Sequence, residues 1–270
     1  SAELTTYAFA KHKQSLARQQ RARGVRTLVM VVDGKRLAKV ARAVREGQRV
    51  MEGVKLTRDL VSEPASHMKP KTLVEVAKEI GQQDSVSVKT MNRKQAEADG
   101  WRAFLAVASG SAEEPYIIHL TYKPAQPARK KMVLIGKGIT FDSGGLSLKP
   151  AQSMEDMKID MAGAATVLGV FSVLPKLNLP VEVHGIIAAC ENMPSGTAYR
   201  PGDIIEARSG KTIEVSNTDA EGRVTLADAL HYATELTPDA IVDLATLTGA
   251  CVVGLGETVA GLFGNDEKLN

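Results

Sequence analysis

Residues 132–145 read Met-Val-Leu-Ile-Gly-Lys-Gly-Ile-Thr-Phe-Asp-Ser-Gly-Gly, and the fold turns on them. The four apolar residues Met132–Ile135 make a compact strand, and a loop with four glycines, Lys137 and Asp142 follows directly. Two more apolar strands, Val181–Ala189 and Ala240–Ala245, stand downstream, separated by the helix-like segments Ala162–Leu174 and Val224–Leu236. Alternation of this kind predicts an α/β fold, a mostly parallel central sheet with helices on both faces.

Upstream, apolar residues recur at Val40, Val44, Val50, Val54 and Leu60 along one face of a long helix, Leu37–Leu60, which Ser62-Glu63-Pro64-Ala65-Ser66 stops. A second helix, Lys71–Ile80, follows Pro70; Ser85–Val88 and Pro115–Tyr122 read as strands, with Gln95–Gly100 as helix and turn between them. Thr27–Val32, β-branched and apolar up to the turn signal Asp33-Gly34, reads as another strand. Lys123–Lys130 is a surface loop, and residues 207–215 form a hairpin joined across Ser209-Gly210.

Composition narrows the class. The chain has 270 residues, 44% of them apolar, with 34 Lys+Arg against 31 Asp+Glu, an ordinary globular balance. The longest uncharged stretches, Met161–Pro175 and Leu244–Gly256, fall short of the ~18–20 residues that span a bilayer and argue against a membrane protein. Cys190 and Cys251 stand apart with no C-x-x-C, so neither a disulfide framework nor a thiolate zinc site is written, and a reducing cytoplasm is expected. The net charge of +3 hides a gradient: residues 1–60 hold 14 basic and five acidic side chains, a net of +9. Such an arm could touch DNA, but with aromatics scarce, Lys35, Arg36, Lys39, Arg42, Arg45 and Arg49 read better as the solvated face of a helix. The start at Ser1 has no signal-peptide pattern and is expected to be a trimmed one.

In an α/β sheet, polar residues just past the carboxyl ends of strands are the first candidates for function. The glycine-rich loop is not a phosphate cradle, because Lys137 is followed by Gly138 and not by Ser or Thr. Asp219 and Glu221 lie two apart, so an extended segment would aim both carboxylates to one side, where a cation offsets their repulsion. Asp160, taken alone, is as readily the N-cap of the apolar helix behind it. Together Asp142, Asp160, Asp219 and Glu221 supply four carboxylates, while the histidines at 12, 67, 119, 184 and 231 form no H-E-x-x-H. Four negative charges match two divalent cations, which can polarise a carbonyl and make hydroxide from a bridging water, as amide hydrolysis requires.

The blocks GKGITFDSGG (136–145), ENMPSG (191–196), NTDAEGR (217–223) and DLATLTGA (243–250) closely resemble the cytosolic leucyl aminopeptidase family, the M17 metallopeptidases. The resemblance is strongest from about Met132 to Gly264 and traceable from Tyr7. It implies a zinc-exopeptidase-like catalytic domain over 37–270, incomplete at its carboxyl end, preceded over 1–36 by the remnant of an N-terminal domain and connector.

By that resemblance Lys137, Asp142, Asp160, Asp219 and Glu221 hold two divalent ions, Zn²⁺ or Mn²⁺ with Mg²⁺ and Co²⁺ as alternatives. Asp142 and Glu221 would be shared, Lys137 and Asp160 would complete one site and Asp219 the more exchangeable one. Keeping a lysine neutral at pH 7 costs roughly 4.6 kcal/mol, which a bound dication can offset. Lys149 would stabilise the oxyanion, and Arg223 would hold a bicarbonate that relays the proton from metal-bound water. Met157, Thr246, Leu247 and Gly249 would contact substrate, an apolar pocket in keeping with leucine-like N-terminal residues. The implied protein is a cytoplasmic aminopeptidase acting on peptides, a homo-oligomer that is hexameric at full length; the alternatives are a DNA-binding member of the same family or an inactive structural fragment.

Overall fold

The run that begins at Lys131 stays extended as far as Asp142, because it finds hydrogen-bonding partners along both edges up to Gly136 and along one edge beyond it. A computed structural model describes residues 2–13 and 27–270. Its main elements in chain order are α1 (Leu37–Ser62), α2 (Pro70–Ile80), β1 (Val86–Met91), α3 (Arg93–Ala98), α4 (Arg102–Val107), β2 (Tyr116–Tyr122), β3 (Lys131–Asp142), α5 (Ala162–Leu177), β4 (Glu182–Asn192), β5 (Ile204–Glu206), β6 (Thr212–Glu214), α6 (Glu221–Glu235), β7 (Ala240–Leu244) and α7 (Ala250–Leu255).

Five strands form one sheet in the order β1-β2-β4-β3-β7, and β5 pairs with β6 in a separate hairpin. β3 is parallel to β4 and β7, while β2 is antiparallel to both β1 and β4, so four strands point one way and only β2 opposes them. From β3 the chain crosses through α5 to β4 on one side, then returns through the hairpin and α6 to β7 on the other. The winding reverses at β3. Such a reversal opens a crevice at the carboxyl ends of the strands, the place where α/β proteins bind ligands.

Alternating side chains divide the core into two layers. Ile118, Leu120, Val183 and Ile187 face α1, α2 and α5, whereas Ile117, Ile135, Ile186 and Cys190 face α3, α4 and α6. By length the apolar run that ends in α5 could cross a bilayer, but α5 is a core helix with nine of its sixteen residues buried.

α1 is two-sided in another sense. Its first half overhangs the core, with Leu37 and Val50 exposed, and burial begins only at Met51. It then crosses α5 backbone to backbone: a Cβ added to Gly53 would lie 2.5 Å from the Gly169 carbonyl oxygen. Thr57 Oγ1 shares its proton across the crossing, 3.0 Å from the Gly53 carbonyl of α1 and 3.2 Å from the Ala165 carbonyl of α5. The basic side chains from Lys35 to Arg49 are exposed along the overhang, as a solvated face requires. The rest of the basic stretch, residues 14–26, and Ser1 lie outside the described residues.

Two expectations are corrected. The segment from Gly136 to Asp142 is strand and not loop, since pairing with β4 as far as Asp142 outweighs the weak strand preference of glycine. Thr27–Val32 forms no strand: among the described residues it has no pairing partner, and Leu28, Val29, Met30 and Val31 are exposed. β-Branched residues make a strand only where a neighbouring edge satisfies their backbone groups.

Candidate metal centre at the carboxyl end of the sheet

β3 carries Lys137 and Asp142 five residues apart, a spacing that puts side chains on opposite faces of a regular strand. The strand avoids this with a register shift. Ile139 pairs with Cys190 but Asp142 pairs with Asn192, so β3 has one extra residue between those rungs and Asp142 returns to the face of Lys137. Past Asp142 the chain turns through Gly144 and Gly145, with φ of 86° and 65°, a conformation that favours glycine, and brings Lys149 back toward the strand end.

The other carboxylates come from the two crossovers. Asp160 ends a short 3-10 turn before α5, and its side chain does not cap the helix; it accepts hydrogen bonds from Lys137 Nζ at 2.7 Å and Thr246 Oγ1 at 2.8 Å. The capping alternative is thereby set aside. Asp219 and Glu221 do not sit on an extended segment as the sequence suggested. Residues 218–220 form a 3-10 turn, opened by Asn217 accepting from the Asp219 amide, and Glu221 starts α6. The turn is favoured because it leads directly into a helix, and it still lets the carboxylates converge. One carboxylate oxygen from each of Asp142, Asp219 and Glu221 lies within 4.8 Å of the others.

Two ammonium groups hold this cluster together. Lys137 Nζ is 2.7 Å from Asp160 Oδ1, 2.7 Å from Glu221 Oε1 and 3.0 Å from the Thr246 carbonyl. Lys149 Nζ is 2.9 Å from Asp142 Oδ2 and also pairs with Asp219 Oδ1. Burial alone would make Lys137 lose its proton more easily, but Asp160 and Glu221 outweigh it and raise its pKa. Lys149 is raised in the same way, Asp219 and Asp142 overcoming desolvation. Burial pushes the Asp160 carboxyl up to about 7, against the pull of Lys137 and with the help of Glu221 and Asp142. Glu221 is also raised, by burial first and by Asp142.

Four carboxylates against two ammoniums leave a surplus of two negative charges when all are ionised. Asp160 Oδ2, Glu221 Oε2 and Asn192 Oδ1 are buried with no hydrogen-bond donor among the described residues. Surplus charge and uncommitted buried oxygens are what a site for hard divalent cations requires, so the donor set fits such ions.

A sequence model of the cytosol aminopeptidase family, catalytic domain, matches residues 55–270. The chain belongs to that family. Among its relatives, a probable cytosol aminopeptidase of Persephonella marina is 54% identical over 231 residues, which is 86% of this chain and 46% of the relative. One from Gloeobacter violaceus is 55% identical over 230 residues, 85% of this chain and 46% of the relative. One from Azotobacter vinelandii is 47% identical over 265 residues, 98% of this chain and 53% of the relative. The chain thus spans about half the length of the curated relatives it matches.

The fold brings Lys137, Asp142, Lys149, Asp160, Asp219, Glu221 and Thr246 into one cluster. It does not join Arg223 to them: two positions beyond Glu221 on α6, Arg223 is exposed and makes no hydrogen bond or ion pair among the described residues. Leu247 packs against Gly222, Met157 is half-buried in the turn before Asp160, and Gly249 faces open space. Sequence reading gave no role to Asn192 and Thr218. Asn192 Nδ2 donates to Asp142 Oδ1 at 2.8 Å and to the Thr218 carbonyl at 2.9 Å. The available signal was their place, one at the end of a buried strand and one between Asn217 and Asp219.

Proposed function

We propose that this chain carries the catalytic centre of a di-metal aminopeptidase that releases leucine-like N-terminal residues from peptides. The observation that carries the reading is the surplus negative charge at the point where the winding reverses, in a chain of the cytosol aminopeptidase family. Lys137, Asp142, Asp160, Asp219 and Glu221 hold the ions, Zn²⁺ or Mn²⁺ before Mg²⁺ or Co²⁺. Bound there, two divalent cations supply Lewis-acid polarisation of the scissile carbonyl and an activated water.

The remaining work falls to this chain's own side chains. Lys149 keeps its proton, favoured by Asp219 and Asp142, and offers it as a hydrogen bond to the oxyanion that develops on the substrate. Arg223, uncommitted among the described residues, would hold a bicarbonate, and the chemistry such an anion would supply there is general-base catalysis, which a guanidinium cannot provide. Met157, Thr246 and Gly249 border the pocket for the first side chain, and Leu247 contacts substrate through its backbone. The same reading places the protein in the cytoplasm, in keeping with the names of its relatives, and makes it a homo-oligomer, hexameric at full length, without membrane attachment.

Titration of the chain with Mn²⁺ or Zn²⁺ by calorimetry should reveal two bound ions, and the loaded chain should hydrolyse leucine p-nitroanilide. Trace binding only, or an intact substrate at saturating metal, would overturn the reading.

A further inference from the structure

Thr218 is fully buried, and every polar atom it owns is committed. Its amide donates to Ser147 Oγ at 3.1 Å, while its own hydroxyl accepts from the Ser147 amide at 2.8 Å, a reciprocal pair. The hydroxyl proton goes to the Gly144 carbonyl at 2.7 Å. The Thr218 carbonyl accepts twice, from Asn192 Nδ2 at 2.9 Å and from Tyr199 Oη at 2.7 Å. One side of this hub is the loop 143–149, which follows Asp142 and carries Lys149. The other is the turn that carries Asp219 and leads to Glu221. Asn192 closes the ring, since the amide that reaches Thr218 also reaches Asp142.

We infer that Thr218 is a positioning residue that fixes the separation between Asp142, at the end of β3, and Asp219 and Glu221, on the turn that enters α6, and so sets the affinity of the site for divalent cations; this rests on the di-metal reading above. The physical reason is repulsion. Carboxylates that must meet within a few ångströms drift apart unless the backbone that carries them is tied, and an ion entering a relaxed site must do the work of drawing them together. Packing alone would not need the hydroxyl; positioning does, because two of the ties that Thr218 makes to the loop run through Oγ1.

Two substitutions separate these roles. Thr218→Val keeps the shape and removes the hydroxyl, leaving the buried Gly144 carbonyl and the Ser147 amide without their partner; Thr218→Ser keeps the hydroxyl and removes only a methyl group. Mn²⁺ affinity, measured calorimetrically on the whole chain well below each variant's thermal midpoint and with circular dichroism unchanged, should fall about tenfold or more in Thr218→Val, the scale usual for outer partners of metal ligands. In Thr218→Ser it should stay within about threefold of the parent chain, an effect below ~0.7 kcal/mol. Thr218→Val binding as tightly as the parent, or Thr218→Ser binding as weakly as Thr218→Val, would overturn the inference while leaving the di-metal reading intact. A parent chain that binds no Mn²⁺ overturns both. Should Thr218→Val fail to fold, Ser147→Ala removes the acceptor from the Thr218 amide on the other side of the pair; it should weaken Mn²⁺ binding about threefold or more, and unchanged affinity there also sinks the inference.

Discussion

The face of the sheet that α6 covers holds two buried polar clusters, one at each end of β4, and they are built on opposite principles. At the amino end Tyr232, His119, His184 and Glu182 form a chain, with contacts of 3.0 Å, 2.9 Å and 2.9 Å in that order. One placement of protons satisfies it throughout: Tyr232 donates to His119 Nδ1, His119 Nε2 to His184 Nδ1, and His184 Nε2 to the Glu182 carboxylate. At the carboxyl end four carboxylates share two lysines, and Asp160 Oδ2, Glu221 Oε2 and Asn192 Oδ1 have no donor among the described residues. A closed network holds a fold together, whereas an open one of a single charge sign is built for something that arrives from outside.

The sharpest way to break this contrast is Glu221→Gln. It removes a carboxylate from the heart of the open cluster, and Mn²⁺ affinity should fall beyond the ~10–100-fold typical of an outer partner. Metal content by elemental analysis checks it, and a variant that keeps both ions would show that the cluster is not the metal centre.

Acid should act on the two ends in opposite directions. Burial, followed by His184 and Lys89, pushes the His119 imidazole down to about 4, from 6.5 in an unfolded chain. The unfolded state therefore takes a proton that the folded state refuses, so the stability owed to His119 is whole above about pH 6.5 and falls as the pH drops toward 4, by about 2 kcal/mol at pH 5. Asp160, raised to about 7 by burial first and then by Glu221 and Asp142, has the reverse sign, since protonation removes its buried charge as the pH falls below 7. Urea midpoints of the metal-free chain across this range should thus lose their acid-side fall in His119→Gln and their acid-side gain in Asp160→Asn. If both variants track the parent chain, neither cluster behaves as described.

The smallest effect should come from Tyr232→Phe, which cuts one hydrogen bond at the end of the closed chain. A cost of about 1 kcal/mol, or a drop of roughly 2–4 °C in melting midpoint, is expected. Mn²⁺ affinity should not change, and a change would tie the two ends together through α6.

What the sequence reveals follows from which forces are local. The strand at Met132–Ile135, the helices over Leu37–Ser62 and Ala162–Leu177 and the carboxylates past the strand ends are all legible, because apolar periodicity and chemical type are properties of short windows. The extra residue in β3 is not, for it exists only in the pairing with β4; the odd spacing of Lys137 and Asp142 is its one trace. The 3-10 turn at 218–220 is invisible for a similar reason, being set by the helix it enters and by contacts with Ser147. Thr27–Val32 errs the other way, with strand propensity and no edge to join. The helix Arg102–Val107 escapes notice because Trp101 and Phe104 bury it through tertiary packing rather than a repeating pattern.

The crossing of α1 and α5 has a mechanical consequence. Some sixteen residues of α1 lie ahead of Gly53, a lever of about 24 Å at 1.5 Å per residue. Its pivot is main chain against main chain at Gly53 and Gly169, with no side chain between them to yield. A rod seated in this way cannot roll about its own axis without prising the two helices apart, so the bearing of the overhang is set at residues 53 and 169, with Arg49 donating to the Lys176 carbonyl at 2.7 Å and Glu52 pairing with Lys176 Nζ beside that pivot.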